Sequence, residues 1–575
     1  MNKDAPRYRW SIAPVQTSLR ERLAVDCDLS PLLAQCLLNR GHAEPGTILN
    51  FLDPRLKNLA DPYLLPDMQL AVERLVAARE SKTSIVIFGD YDVDGVTSTA
   101  LLLEAFGALG FAVNGYLPNR MEEGYGLSSE GVANCLEKFP VKLLLAVDCG
   151  STSVEQIGCL AQRGVDVIVL DHHQISDPPP EPIALVNPRK NPTGRFHELC
   201  SAGLAFKLAH ALVKRLRELN CPRAEAFDLK PLLDLVALGT IADIVPLTGE
   251  NRIFATRGLE WLNTTKRAGL VALKSVAQTN ESIGVHEVGF QLGPRLNAAG
   301  RLENALQALD LLRATSIAEA KPLADALDSC NGERQKIERG ISEQVIGAVR
   351  ARFNPETDFV IVEGQPLWHI GVVGIVASRV LHEFYRPTII VGGEGVEWRG
   401  SGRSIEGFDL AAALRECDDL LIRHGGHAMA AGLTIDPEKL ELFRTRMNEI
   451  ARCKIKPEEL KPVLRLDAEI QLSDLTVTSV TELERLKPFG SQNPSIQLVV
   501  RGVSHQRAPQ RIGKEGQHVK FRVTDGKRTF DALWWNCGTD TTLPKVMFDL
   551  AFVPQINEFN GNSSVQLKVL DWCSV

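Results

Sequence analysis

The chain has 575 residues, 44% hydrophobic and 23% charged, with a net charge of −7 at pH 7. At about 100–200 residues per domain, that length predicts three or four domains, and the composition is that of a globular chain rather than a disordered one. No apolar run reaches the ~18 residues of a membrane span, and MNKDAPRYRWSIAP lacks the apolar core of a signal peptide. Twelve cysteines occur without a CxxC, which argues against a disulfide framework and against a thiolate zinc site. These features predict a cytoplasmic protein that does not engage a membrane. Net acidity does not dismiss nucleic acid as a partner, because a global sum hides local patches; residues 499–575 carry ten Lys/Arg against seven Asp/Glu.

In chain order, residues 1–75 form a mixed N-terminal extension, with a helical pattern at SPLLAQCLLNRG and a proline-punctuated stretch near 54–66. From residue 76, β-rich runs (SIVIF, KLLLAVD, VDVIVLD) alternate with helical segments (TSTALLLEAFGAL, SVEQIGCLAQRG). That alternation predicts a parallel sheet in an α/β domain over 76–260. Residues 179–198 read as a loop, and LCSAGLAFKLAHALVKRL and LLDLVALGTIAD as helices. A helical connector is expected over 261–352, with one or two long helices in 304–352. FVIVEG, VGIVASRVLHEF and PTIIVGG predict a second α/β domain over 353–455. Residues 456–575 change to short, partly alternating strands, which predicts a small antiparallel β-barrel.

The stretch IVIFGDYDVDGVTS places Asp90, Asp92 and Asp94 at alternate positions where a strand ends. D-x-D-x-D-G also opens a calcium-binding EF-hand loop, but position 12 of such a loop needs an acid, and here it is Leu101. Ligands collect at the carboxyl ends of strands in open α/β sheets, and crowded carboxylates repel unless a cation shares their charge. Asp148 ends KLLLAV, Asp171 ends VIVL ahead of His172 and His173, and Asp243 lies in GTIADIVPL. Oxygen ligands with a few imidazoles suit Mn²⁺ or Mg²⁺ better than zinc. Neighbouring histidines point in different directions, so at most one of the pair is expected to bind metal. The other is a hydrogen-bonding group or an electrophile near a substrate.

LDHHQ, with GDYDVDGVTS before it and VALGTIADIVPL after it, resembles the DHH phosphoesterase superfamily. HIGVVGIVASRV at 369–380, GRS at 402–404 and GGHAMAAG at 425–432 resemble the accessory DHHA1 domain. With LPNRMEEGYGLS at 117–128, LGPRLNAAGR at 292–301, LKPFGSQNP at 486–494 and the β-rich tail, nearly the whole chain resembles the RecJ family of single-stranded-DNA exonucleases.

The resemblance implies a DHH domain joined by long helices to a DHHA1 domain, with an OB-fold tail at 456–575. It implies a 5′→3′ exonuclease of DNA repair and recombination, which releases 5′-mononucleotides by water attack activated by two Mn²⁺ or Mg²⁺ ions. Carried over position by position, the metal ligands are Asp90, Asp92, Asp94, Asp148, His172 and Asp243, with Asp148 as the bridging candidate. His173 would stabilise the scissile phosphate, and Asp171 would orient the histidine pair. Arg120, Arg403 and Ser404 suit a 5′-phosphate, because guanidinium offers phosphate a planar fork. Arg295 and Arg301 would follow the backbone, and His427 would lie on the substrate side; His369 stays open between that role and a buried histidine. Trp534, Trp535, Phe552, Phe559 and Trp572 divide between barrel core and base-stacking platforms.

The partners implied are single-stranded DNA with a 5′ end, a single-strand-binding protein and a helicase, with a monomer as the default state. Two other readings compete: a DHH phosphodiesterase for short RNA or cyclic dinucleotides, and a replication scaffold that has lost catalysis. The β-rich tail favours a polymer substrate over the first, and the intact acid and histidine set argues against the second.

Overall fold

The computed structural model describes residues 7–120, 122–280, 282–302, 304–538 and 546–574. The chain divides into two units. One comprises Leu49–Glu333 with Leu486–Pro494; the other comprises Met1–Ile48, Arg334–Arg485 and Ser495–Val575.

The sheet of the first unit is built on short runs, most of them apolar and buried; the edge run VNGY, buried only at Tyr116, is the exception. They form strands β1 (Ile85–Phe88), β2 (Val113–Tyr116), β3 (Leu143–Val147), β4 (Asp166–Leu170) and β5 (Ala184–Val186). All pair in parallel, in the order β2-β1-β3-β4-β5. Alternate residues serve opposite faces: Ile85, Ile87, Leu143, Leu145 and Ile168 pack into one core cluster, and Val86, Phe88, Leu144, Ala146 and Val169 into another. β5 lies inside the stretch expected to be a loop, where its three residues were hidden among five prolines. Ala184–Val186 pairs with Ile168–Leu170 at the sheet edge, where proline neighbours are tolerated.

Four helices concern the site: α1 (Val93–Leu109), α2 (Ser201–Glu218), α3 (Leu233–Ala242) and α4 (Gly293–Leu302). α4 continues a helical run through a π-helical turn at Val288–Leu292. From β1 the chain steps to β2 on one side, then to β3 on the other, so β1 and β3 flank the point where strand order reverses. Crevices for ligands open there. A 36-residue helix, Ile317–Arg352, follows the shorter Leu306–Arg313, within the 304–352 stretch where helical spacing predicts one or two long helices.

In the second unit, Arg9–Ile12 pairs in parallel with Val463–Leu466, which ties the N-terminus to the C-terminal region. A five-stranded sheet pairs Ile361–Pro366 and Thr388–Gly393 in parallel, then continues antiparallel through Trp398–Arg403, Ala430–Ile435 and Leu421–Gly426. The C-terminal sheet is mostly antiparallel. Leu498–His505 bonds both to Phe548–Phe559 and to His518–Thr524, so the strand order turns back on itself. Two of its pairings are parallel, Thr529–Trp534 with Asn562–Ser574 and Ala468–Glu469 with Leu498–His505. Trp534, Phe552 and Trp572 are core, whereas Trp535 and Phe559 are 46% and 70% exposed. Among the described residues no helix is long and apolar enough to cross a membrane.

Candidate metal centre

Strand register sets the site. Phe88 lies opposite Ala146 and Val147 opposite Leu170, so the residues just past those ends, Asp90, Asp148 and Asp171, emerge side by side. Asp92 caps α1, its Oδ1 accepting from Gly95 N at 3.0 Å. Asp94 points to the start of α2, where its two oxygens accept from Ser201 N (2.7 Å) and Ala202 N (2.8 Å). A carboxylate is favoured there by the unpaired amides and the helix dipole. Asp243 follows the last residue of α3.

His172 is the focus. Its Nε2 lies 3.4 Å from Asp148 Oδ1, 3.7 Å from Asp243 Oδ2 and 3.9 Å from Asp94 Oδ2. Burial, then the neighbouring charge of His173, push its pKa down to about 3. It is therefore a neutral imidazole, so these contacts are not ion pairs, and three carboxylates converge on its Nε2 as ligands around a cation would. Candidate ligand atoms gather in three overlapping groups: Asp148 with His172 and His173, Asp94 with His172 and Asp243, and Asp90 with Asp92 and Asp148. Asp148 belongs to both the histidine group and the Asp90–Asp92 group, as a bridging carboxylate would.

The electrostatics show a site short of positive charge. Burial, then neighbouring carboxylates, raise Asp94 to about 6 and Asp243 to about 9, and hold Asp90 and Asp148 well above the carboxylate range. Asp90 Oδ1 and Asp243 Oδ2 are buried acceptors that receive no hydrogen bond. Orphaned buried oxygens ringed by like charge are what a divalent cation would satisfy, and the oxygen-rich set with one neutral imidazole fits Mn²⁺ or Mg²⁺.

His173 differs from its neighbour. Its Nδ1 lies 2.8 Å from Asp171 Oδ1 and its Nε2 3.3 Å from the Tyr125 hydroxyl. Burial pulls its pKa down, but the Asp171 hydrogen bond and charge, with Asp243 and Asp92, outweigh that and lift it to about 9. Asp171 also accepts from the amides of Ser151 (3.0 Å), His172 (2.8 Å) and His173 (3.1 Å). Burial raises its pKa, but His173 and these donors bring it below the usual carboxylate value. It is a fixed anion that orients a protonated imidazole.

Several supports were not legible as site residues. Ser201 Oγ donates to Asp148 Oδ1 (2.8 Å), Asn187 Nδ2 to the His173 carbonyl (2.9 Å) and Arg189 Nε to the His172 carbonyl (2.6 Å). Val93 N donates to Asn297 Oδ1 (3.1 Å). The one available signal for Asn297 was its place in LGPRLNAAGR. Gly95 is required by space, since a Cβ there would lie 2.5 Å from the Asp90 carbonyl oxygen. Gly95→Ala is expected to destabilise the protein by about 1–3 kcal/mol and to weaken Mn²⁺ binding, measured by thermal melts with and without Mn²⁺.

The arginines fall in different settings. Arg120 lies over the Tyr91 ring, 5.1 Å from its centroid. Arg301 is in the last turn of α4, where its charge acts on Tyr91. Arg295 pairs with Asp328 (2.8 Å) and the Gln291 carbonyl (2.7 Å). In the other unit, Arg403 donates to Ser401 Oγ (2.9 Å) and the Gly402 carbonyl (2.8 Å). Ser404 is buried and donates to the Phe408 carbonyl (2.7 Å), which makes Ser401 the hydroxyl beside Arg403. His427 is exposed in the turn between Leu421–Gly426 and Ala430–Ile435.

This arrangement of parallel sheet, strand-end acids and histidine pair defines a phosphoesterase of the DHH type. Residues 84–240 match the DHH family N-terminal domain, 357–452 the DHHA1 domain and 466–571 the RecJ OB domain. The chain is 36% identical over 578 residues to the single-stranded-DNA-specific exonuclease RecJ of Bacillus subtilis, covering 99% of this chain and 71% of that one. It is 34% identical over 567 residues to the Escherichia coli enzyme of that name, covering 95% and 96%. The crystal structure of RecJ from Thermus thermophilus in complex with Mn²⁺ superposes with a TM-score of 0.84 at 31% identity, covering 99% of this chain and 80% of that one. The chain belongs to the RecJ family.

Proposed function

We propose that this protein is a metal-dependent 5′→3′ exonuclease of single-stranded DNA that releases 5′-mononucleotides and serves repair and recombination. The observation that carries the reading is the convergence of Asp94, Asp148 and Asp243 within 3.4–3.9 Å of one neutral imidazole, beside a second imidazole held protonated. Asp90, Asp92, Asp94, Asp148, His172 and Asp243 would hold two divalent ions. Bound there, such ions supply Lewis acidity and lower the pKa of water toward neutrality. The chain's own residues do the rest. Ser201 and the first amides of α2 fix the carboxylates. His173 presents Nε2–H to a phosphate oxygen, and Asp171 keeps that proton in place. Tyr125, whose hydroxyl lies 3.3 Å from His173 Nε2, would yield that position to the phosphate.

Polarity is assigned to Arg403, with Ser401 beside it, as a reader of the 5′-phosphate, and phosphate contact to Arg120; Ser404 shapes the strand end at Arg403 from within. Arg295 and Arg301 are assigned to the strand backbone, the former after exchanging Asp328 for phosphate, and His427 to the substrate side. Exposed Trp535 and Phe559 are offered as base platforms in the tail. The five-part division at 1–75, 76–260, 261–352, 353–455 and 456–575 is proposed with this reading. So are a cytoplasmic location, a monomeric state, and a single-strand-binding protein and a helicase as partners.

The test is a time course on single-stranded DNA labelled at either end, with Mn²⁺, Mg²⁺ or chelator. Metal-dependent early release of the 5′ label as mononucleotide supports the reading; 3′-label release first, or endonucleolytic fragments, refutes it. Removing the 5′-phosphate is expected to slow cleavage, and Arg403→Ala to erase that difference. An equal rate on both ends in the parent enzyme would remove the phosphate-reading role.

A further inference from the structure

The segment LKPFGSQNP, Leu486–Pro494, lies within the stretch matched by the OB-domain model. It nevertheless belongs to the catalytic unit, whereas the residues on either side of it belong to the other. Within that unit it is held tightly. Arg252, 2% exposed, donates from Nη1 to the Leu486 carbonyl (3.0 Å) and from Nη2 to the Lys487 carbonyl (2.8 Å). Its Nε reaches the Phe51 carbonyl (2.7 Å), and its guanidinium stacks on the Phe51 ring at 3.8 Å. Fully buried Asn493 donates to the Leu486 and Pro488 carbonyls, both at 2.9 Å. Its backbone exchanges hydrogen bonds with Gly490 at 2.8 and 3.1 Å. A buried guanidinium is costly unless its donors are engaged, so this network specifies one loop conformation.

The tip of that loop meets the chain just past Asp243. Leu247 N donates to the Ser491 carbonyl at 2.9 Å, and a Cβ at Gly490 would lie 2.6 Å from Leu247 Cδ1. Between Asp243 and Leu247 stands Ile244, 73% exposed with φ +59°. A β-branched residue in that region is strained and persists only where its surroundings over-determine it. The surroundings are the close of α3 on one side (Asp243 N to Gly239 O, 2.9 Å) and, on the other, Asn251 Nδ2 to the Pro246 carbonyl (3.0 Å) together with the Ser491 contact. Asp243 Oδ2 receives no hydrogen bond of its own, so its aim toward His172 depends on the backbone of this loop.

We propose that Leu486–Pro494 is a brace that positions Asp243 for a divalent cation, with Gly490 as its contact point and Arg252 as its anchor. It acts through Asp243 and touches neither metal nor substrate. The inference rests on Asp243 being a metal ligand.

The experiment uses the full-length protein and its Gly490→Val, Gly490→Ala and Arg252→Met variants. Mn²⁺ binding is followed by EPR titration, and hydrolysis of single-stranded DNA is measured against Mn²⁺ concentration. Gly490→Val and Arg252→Met are expected to raise the Mn²⁺ midpoint about tenfold, the loss usual when the support of a ligand is removed. Excess Mn²⁺ should restore the rate. Gly490→Ala, which folds under less strain, should shift the midpoint in the same direction, and Leu247→Ala should relieve Gly490→Val by making room. A merely structural role would lower the active fraction and leave the midpoint unmoved, which would overturn the brace. Asp243→Asn separates the two claims. Weakened Mn²⁺ binding there, with unmoved midpoints in the brace variants, sinks the brace and keeps the ligand; unchanged binding in Asp243→Asn removes the ligand and the brace together.

Discussion

Asp148→Asn is expected to abolish hydrolysis while raising, not lowering, the melting temperature of the metal-free protein. Asp148 is buried; its Oδ1 accepts from Ser201 Oγ at 2.8 Å and lies 3.4 Å from His172 Nε2. Burial, then Asp94, Asp92, Asp90 and Asp243, hold its pKa far above the carboxylate range. Without metal, that charge is a burden on the fold. Asparagine keeps the volume and tolerates the left-handed backbone at φ +64°, which other side chains resist. Removing the charge therefore relieves repulsion without opening a cavity. The same change removes the group shared between two candidate ligand clusters. Several kcal/mol of charge stabilisation would be lost, or about 10³-fold or more in rate. Melting in EDTA and in Mn²⁺ checks both halves. The parent should gain stability from Mn²⁺ by mass action, and the variant should start higher and gain little. A variant that melts lower in EDTA would show that Asp148 is a structural acid rather than a stored metal ligand.

The strain between fold and function at Asp148 also explains what could be read from the sequence. Asp90, Asp148 and Asp171 were legible because each ends an apolar strand, and parallel register then aligns them without further information. Asp243 was legible only as an acid flanked by apolar residues; its approach to His172 depends on α3, which no local pattern orients. Ser201 and Asn187 escaped because a serine at a helix start or an asparagine in a turn has an adequate local reason to be there, and Arg189 and Asn297 because their partners, the His172 carbonyl and Val93 N, come from other segments. β5 escaped because five prolines outweighed three apolar residues whose partner is supplied by β4. The parallel pairing of Arg9–Ile12 with Val463–Leu466 joins residues more than 450 positions apart, and neither strand announces the other.

The adjacent histidines are expected to part company when each is replaced. His172→Ala should lose Mn²⁺ binding and with it all hydrolysis, because its Nε2 is where Asp94, Asp148 and Asp243 converge. His173→Ala should bind Mn²⁺ within a few-fold of the parent, yet hydrolyse about 10²–10³-fold more slowly, the usual loss when a donor to developing charge is removed. The division follows from Asp171, which engages His173 Nδ1 at 2.8 Å and turns its Nε2 outward. The pair also leaves a signature in the metal-free fold. His173 is raised above its ordinary 6.5 to about 9, so its contribution to stability is complete below pH 6.5 and fades as pH rises through 9. Asp171 is depressed below its ordinary 3.8, so its contribution is complete above pH 3.8 and fades as pH falls further. In EDTA, the melting-temperature deficit of Asp171→Asn should therefore be largest between pH 3.8 and 6.5 and shrink above pH 9. A deficit that stays flat across that range would mean that Asp171 holds the loop through its amide hydrogen bonds alone. The protonated state of His173 would then need another source.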